Sequence, residues 1–433
     1  MHRAAVELGS VAGVRAAVRI LLITPVAPHP PSTGGRQRTN LLFRGLCSVG
    51  HTDTFLIAGE ADVPDAERSR LAADYHVVGT AAPQVASEIG WVRHLRSLHP
   101  AHVNRAVNVL APLRQYALPQ PRVAAALRAA VDLDAYDVIV GRYLSALVAA
   151  DVLSRERVVV DVDDLPTALI DMRLQSGVDG PIRRAYLRRI RSRLGGVERR
   201  QLAACAHVWV ANPDDIGRIG HDRCSTLPNI PFVAAGQVEV CDEEIPQSPN
   251  SRTLLTVGML NHVPNVQGID HFLSAAWPAI RRRVPDAEYR IVGSRLMPDA
   301  AERWGRHPGV RVVGFVPDLR REYEAAAVTV CPIPWGGGTN IKVAESLAHG
   351  VPAIISPAAH RGWRDVFPEP DAVLVARTAD DYAGHAATLL GDPARRLAMG
   401  EFGRRAVRAS LRFATFRDRI AHTLASLSRS SAA

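Results

Sequence analysis

The run CPIPWGGGTNIKVAE, residues 331–345 of a chain of 433, gathers residue types that could handle a phosphorylated ligand. Gly336, Gly337 and Gly338 stand between a short apolar run and a helix-like segment opened by Thr339 and Asn340. Such a loop leaves several backbone N–H donors free at a helix N-terminus, and together with the helix dipole they suit a diphosphate. Lys342 falls in the first turn of that helix, where a phosphate would be its natural partner. It is the one lysine among 52 basic residues, the rest being arginine. Glu345 lies three positions further on the same helix face. A carboxylate there can accept hydrogen bonds from the vicinal hydroxyls of a ribose; the alternative is a surface charge paired with Lys342.

Other candidates follow strand-like runs in the same way. The loop 25–36 ends in Gly34, Gly35 and Arg36, a glycine pair at a helix start that suits an anion or simply makes a tight turn. Arg142 and Tyr143 close the run 137–140 and are candidates for sugar or acceptor contacts. Asp161, Asp163 and Asp164 crowd the end of another run. They could bind a divalent metal, take a proton from an acceptor, or cap a helix; an acceptor-side role for Asp163 or Asp164 is favoured. Asn261, His262 and Asn265 follow 253–257 and either meet the ligand or cap the next helix. His29 and His360 have no sequence partner and read as ordinary residues.

These loops need a scaffold, and the chain supplies one twice. Short β-branched runs alternate with helix-length segments, the pattern of parallel sheets covered by helices. Strands are expected at 18–24, 54–58, 137–140, 158–161 and 207–211, then at 253–257, 288–292, 310–312, 328–331, 353–355 and 372–375. Helices are expected at 36–49, 121–131, 144–153, 181–204, 266–283, 319–326, 341–349, 379–390, 393–410 and 413–428. The Pro-, Gln- and Ser-rich stretch 233–252 reads as a linker. It separates a first domain, 18–232, from a second, 253–412. Residues 1–17 read as a loose extension and 429–433 as frayed.

Composition excludes several classes. Apolar residues make up 47% and charged residues 22%, which rules out disorder, collagen-like repeats and a disulfide scaffold. No apolar run approaches the roughly 18 residues of a membrane-spanning helix, and a convincing signal peptide is lacking. Five scattered cysteines without a C-x-x-C pair argue against structural zinc and for a reducing compartment, hence a cytoplasmic location. The net charge of +9 is carried by arginine bias and is weak support for nucleic acid, the more so at 5% aromatics. Eight arginines between Arg183 and Arg200 form a basic amphipathic face. It reads either as a peripheral contact with an anionic membrane or phosphorylated lipid, or as a solvated helix that Gly195 and Gly196 would bend or divide. No G-x-G-x-x-G follows either first strand, so a dinucleotide oxidoreductase ranks low.

The segment GGGTNIKVAESLAHGVPAIIS resembles the nucleotide-sugar motif of retaining GT-B glycosyltransferases of family 4. Similarity continues through VGMLNHVPNVQGIDHF (257–272), PHPPSTGGRQRT in the first loop, DVDDLPT (161–167), VWVANPDD (208–215) and LPNIP (227–231). The resemblance implies an α/β chain of two Rossmann-like domains facing across a cleft, with the last helix packing back on the first domain. It implies transfer of a sugar from a nucleoside diphosphate sugar to a hydroxyl acceptor with retention, in glycan, glycolipid or polysaccharide biosynthesis, with no obligate cofactor or metal. Glu345 would hold the ribose. The family's other motif glutamate would fall at Gly337, so contacts to the sugar pass to the amides of Gly337, Gly338 and Thr339. Neutralising the diphosphate would fall to Lys342, with Arg36 available across the cleft. A catalytically silent nucleotide-binding protein on the same fold is the alternative.

Overall fold

The computed structural model describes residues 18–30, 33–58, 65–83, 118–177, 179–231 and 250–429. The expected extension 1–17 and nearly all of the expected linker lie outside them. Two sheets form, and every strand pairing is parallel. The first contains β1 (Val18–Thr24), β2 (Gly50–Leu56), β3 (Val77–Thr80), β4 (Val138–Arg142), β5 (Val158–Val162), β6 (His207–Val210) and β7 (Cys224–Thr226). The second contains β8 (Thr253–Val257), β9 (Glu288–Val292), β10 (Val310–Gly314), β11 (Val328–Cys331), β12 (Ala353–Ile355) and β13 (Val373–Val375).

The strand orders are 3-2-1-4-5-6-7 and 10-9-8-11-12-13. In each sheet the order reverses beside its first strand, between β1 and β4 and between β8 and β11. At such a switch point the two following loops diverge and leave a crevice at the carboxyl ends of the strands. The central strands are buried on both faces, as helices on both sides of a parallel sheet require; Ile20, Leu21, Leu22 and Ile23 of β1 are all fully buried. Separate apolar clusters cover the two faces of the first sheet, one including Leu21, Val160 and Val208, the other Leu22, Val140 and Trp209.

The last helix, Phe413–Arg429, belongs to the first domain. Phe416, Ile420, Leu424 and Leu427 join Leu41, Leu42 and Leu46 of helix Gly34–Cys47 in one cluster. The indole of Trp209 donates to Thr423 Oγ1 at 3.1 Å. Just before it, Leu411 closes the helix Pro393–Ser410 and is buried in the second domain's core.

Several elements differ from the sequence reading. β2 begins at Gly50 rather than 54, because pairing with β1 draws the polar residues 50–53 into the sheet. The edge strands β3 and β7 and the helices Asp65–Tyr75, Pro166–Gln175 and Pro298–Gly305 were not expected. The expected helix 266–283 contains a π-turn at Phe272–Ala276, just before Pro278, which lacks an N–H for a regular turn. Gly195 and Gly196 do not divide the helix Pro181–Ala203. Gly195 is buried where this helix packs on helix Pro166–Gln175. The apolar residues Ile190, Leu194 and Leu202 of that helix are buried, while Ile182 is exposed among the arginines. Among the described residues no helix is long and apolar enough to cross a membrane.

Candidate active site

The two switch points face each other across a cavity of about 580 Å3. The first domain contributes the loop after β1 (Val26, Thr33, Gly34, Gly35 and Gln37), Tyr143 after β4, and Asp163 and Asp164 after β5. The second contributes Gly258, Met259, His262, Pro264 and Asn265 after β8 and the glycine loop with Lys342 and Glu345 after β11. The domains approach closely here: a Cβ at Gly34 would come 3.3 Å from Ile341 Cγ2.

Lys342 is the one basic side chain of arginine or lysine type among the described residues lining the cavity. Its Nζ donates to Asn265 Oδ1 at 2.7 Å, and Asn265 Nδ2 donates to the Met259 carbonyl at 2.9 Å. Asn265 therefore aims the ammonium. It is not a helix cap, because the helix Val263–His271 starts two residues earlier. His262 lines the same wall; burial, and then the Lys342 charge, lower its pKa, so it is neutral and adds no second cation.

Glu345 is buried and is not a surface partner of Lys342. Burial raises its pKa to about 7, against the opposing effects of a hydrogen bond from Gln37 and the Lys342 charge. Gln37 stands on helix Gly34–Cys47 of the first domain, so the carboxyl expected to face the ribose is pinned from across the cleft.

The aspartates divide their work. Asp161 is fully buried and paired with Arg38, whose Nε donates to Oδ2 at 2.9 Å. Asp163 has both oxygens engaged, one by Arg142 Nη2 at 2.8 Å and one by Asn229 Nδ2 at 3.3 Å. Although burial acts to raise its pKa, the Arg142 and Arg38 charges hold it below the ordinary range. Asp163 is thus an anchored anion, each of its oxygens held by one side-chain donor. Asp164 is the reverse: its Oδ1 is enclosed and accepts no hydrogen bond. Burial, and then the Asp163 charge, raise its pKa.

Arg142 differs from its expected place at the sugar. It is fully buried beneath the cavity, bonded to Asp163 and lying 4.0 Å from the Tyr143 ring centroid. Tyr143 lines the cavity in its stead, held at φ 69°. Arg36 donates to the His29 carbonyl at 2.9 Å and does not line the cavity; Asn261 is exposed and does not line it either.

Three residues that sequence reasoning did not single out complete the geometry. Asn212 Nδ2 donates to the Gly338 carbonyl at 3.3 Å. Asn229 Nδ2 donates to Thr339 Oγ1 at 2.8 Å, while its Oδ1 accepts from Arg38 Nη1 at 2.8 Å. The first domain thereby holds the glycine loop of the second. Gln37, the third, has an Oε1 without a partner. Together with Asp164 Oδ1 and Asn340 Nδ2 it gives three enclosed, unpaired polar atoms on residues that line one cavity. Buried polar atoms are rarely left unpaired, and three such atoms on residues of one cavity wall suit a polar ligand there.

Residues 251–392 match the family model described as glycosyl transferases group 1. The fold is GT-B. Sucrose-phosphate synthase from Thermosynechococcus elongatus superposes with a TM-score of 0.66 at 16% identity, over 95% of this chain and 100% of that one. HepE from Anabaena, solved in complex with UDP, gives 0.61 at 14% identity over 94% and 100%. WaaG, a glycosyltransferase involved in lipopolysaccharide biosynthesis, gives 0.59 at 14% over 94% and 99%. By sequence, no curated protein matches. In the GT-B arrangement the matched segment is the domain that carries Lys342, Glu345 and the glycine loop, and the other domain closes the cavity over it.

Proposed function

We propose that the protein transfers a sugar from a nucleoside diphosphate sugar to a hydroxyl acceptor, with retention of configuration. One observation carries the reading: Lys342, aimed by Asn265 at the N-terminus of helix Ile341–Ala348, faces a cavity otherwise lined by neutral and acidic groups. That arrangement suits one diphosphate. The group 1 match over the same residues supports it, as does the UDP found in HepE.

In this reading the amides of the glycine loop, the helix dipole and the Lys342 ammonium stabilise the departing diphosphate. Glu345, held by Gln37, accepts hydrogen bonds from the ribose. The bond from the sugar's anomeric carbon to the diphosphate oxygen breaks while the acceptor oxygen bonds to that carbon on the same face. The acceptor proton passes to the leaving phosphate oxygen, so no protein nucleophile is required. Asp164 Oδ1, unpaired beside the glycine loop, accepts a hydroxyl of the donor sugar. Asp163, Arg142 and Arg38 act as positioning residues behind it.

The test is calorimetric titration with UDP, GDP, ADP, TDP and NAD, followed by transfer assays with the matching labelled sugars. One diphosphate should bind selectively, and both Lys342→Ala and Glu345→Ala should weaken it. Binding of NAD alone, or of no diphosphate, would overturn the assignment; binding without turnover of any sugar would favour a silent nucleotide-binding protein.

A further inference from the structure

At the amino end of β2, away from the cavity, His51, Asp53 and His76 each place a ligating atom within 4.8 Å of the others. We propose that these three side chains form a binding site for a divalent transition cation of the zinc type, separate from sugar transfer.

The strand builds the site. His51 and Asp53 are two residues apart on β2 and therefore share a face, and His51 Nε2 lies 3.0 Å from Asp53 Oδ1. His76 reaches them from the residue just before β3. Its main-chain carbonyl accepts from Thr54 N at 2.9 Å, and its Nδ1 lies 3.1 Å from the Thr52 carbonyl. A carbonyl only accepts, so Nδ1 carries the ring proton and Nε2 is left with its lone pair. His76 is also held at φ 45°, in the left-handed region that histidine enters more readily than most residues.

The carboxylate has an outer partner as well: Tyr136 OH donates to Asp53 Oδ2 at 2.7 Å, leaving Oδ1 facing the imidazoles. A ring N–H on a main-chain carbonyl and a bonded carboxylate are the arrangement by which metal ligands are oriented. Arg19, opposite His51 in the β1–β2 pairing, is the nearby cation. It is drawn over the Tyr136 ring, 5.0 Å from the centroid. Both imidazoles are exposed, so an ion can enter and complete its shell with water.

Two imidazoles and one carboxylate suit zinc with an open position. Cysteine spacing argues against structural zinc, but this cluster uses no cysteine. Because β3 has four residues and ends the sheet, an ion shared by β2 and the entry to β3 would staple that edge.

Tag-free full-length protein, stripped with a chelator and titrated with ZnCl2, should bind one ion per chain at this site. His76→Asn keeps a residue tolerant of the left-handed backbone, and it should weaken binding at least tenfold, as should Asp53→Asn. Tyr136→Phe, which leaves all three ligands in place, should weaken it about tenfold. Circular dichroism of each variant separates lost ligation from lost folding. If wild type takes up no zinc, or a folded His51→Ala, His76→Asn double variant titrates like wild type, the site does not exist.

Discussion

A Cβ built on Gly337 would lie 2.2 Å from Oδ1 of Asp164, which belongs to the other domain. The glycine that stands where family resemblance expects a glutamate therefore leaves the space that the Asp164 carboxyl fills. A side chain there would force the Asp164 carboxyl, and the Leu169 methyl 2.7 Å away, to move. Loss of a carboxylate from one domain coincides with entry of a carboxylate from the other.

This pairing predicts a reciprocal pattern of mutants. Gly337→Ala should lower kcat/KM by about tenfold to a hundredfold, since forcing atoms into filled space costs about 1–3 kcal/mol. Gly337→Glu alone should be worse. Combined with Asp164→Gly, which vacates the space, Gly337→Glu should recover part of the loss. Steady-state transfer kinetics on the four-member cycle would measure the coupling, and strict additivity would show that the two positions do not interact.

Removing the ammonium should act on the leaving group. Lys342→Ala should lower kcat by about a hundredfold to a thousandfold, the range for deleting one donor to a developing anion. Diphosphate affinity should fall with it. Lys342→Arg should not restore activity: Nζ lies 3.0 Å from the point a Cβ on Gly258 would occupy, and a planar guanidinium needs more room than a compact ammonium. Titration with the cognate diphosphate and single-turnover kinetics would separate binding from chemistry.

Glu345 should give donor binding a pH dependence. Its pKa of about 7 lies above the ordinary 4.5, so the folded protein holds this proton more tightly than the unfolded chain does. The group's contribution to stability is full below about 4.5 and is lost as pH rises towards 7. Binding runs the other way, because ribose hydroxyls donate best to the ionised carboxylate. Diphosphate affinity should strengthen from pH 6 to 8 and then level off, as read by calorimetry. Glu345→Gln should bind more weakly and with a flatter profile across that range, while losing less stability over the same interval.

The asparagine clasp should tie stability to fidelity. Asn229→Ala leaves Arg38 Nη1 and Thr339 Oγ1 without their partner, a loss of about 1–3 kcal/mol by denaturant unfolding. A loop held less firmly should also admit water, so hydrolysis of donor should rise relative to transfer. An unchanged ratio would mean that the clasp serves folding alone.

The inner strands were legible as short β-branched runs alternating with helix-length segments, and β8, β9, β11 and β12 fall at the residues expected. The edges of the first sheet were not: β3 and β7 have only four and three residues and owe their form to a neighbour's hydrogen bonds. Helices Pro166–Gln175 and Pro298–Gly305 carried a signal in the proline at their first position. At the site, Lys342 and the glycine loop declared themselves because their chemistry is local to one loop. Asn212, Asn229 and Gln37 act only across the domain boundary, so nothing in their own neighbourhood reveals a partner. Their one trace was that they sit in the segments PHPPSTGGRQRT, VWVANPDD and LPNIP, which follow or lie near strand ends. Arg142 could be placed on its strand but not in depth, since burial depends on Asp161 and Asp163 from the next strand.

The passage from Leu411, sunk in one core, to Phe413, packed against the other, leaves Arg412 alone between two rigid bodies. Such a crossing behaves as a joint rather than a tether. Residues beside it keep their distance whatever the domains do, and displacement must grow with separation from it. A swing of the domains would therefore turn about Arg412 and keep the face bearing Asn229 opposite the face bearing Thr339.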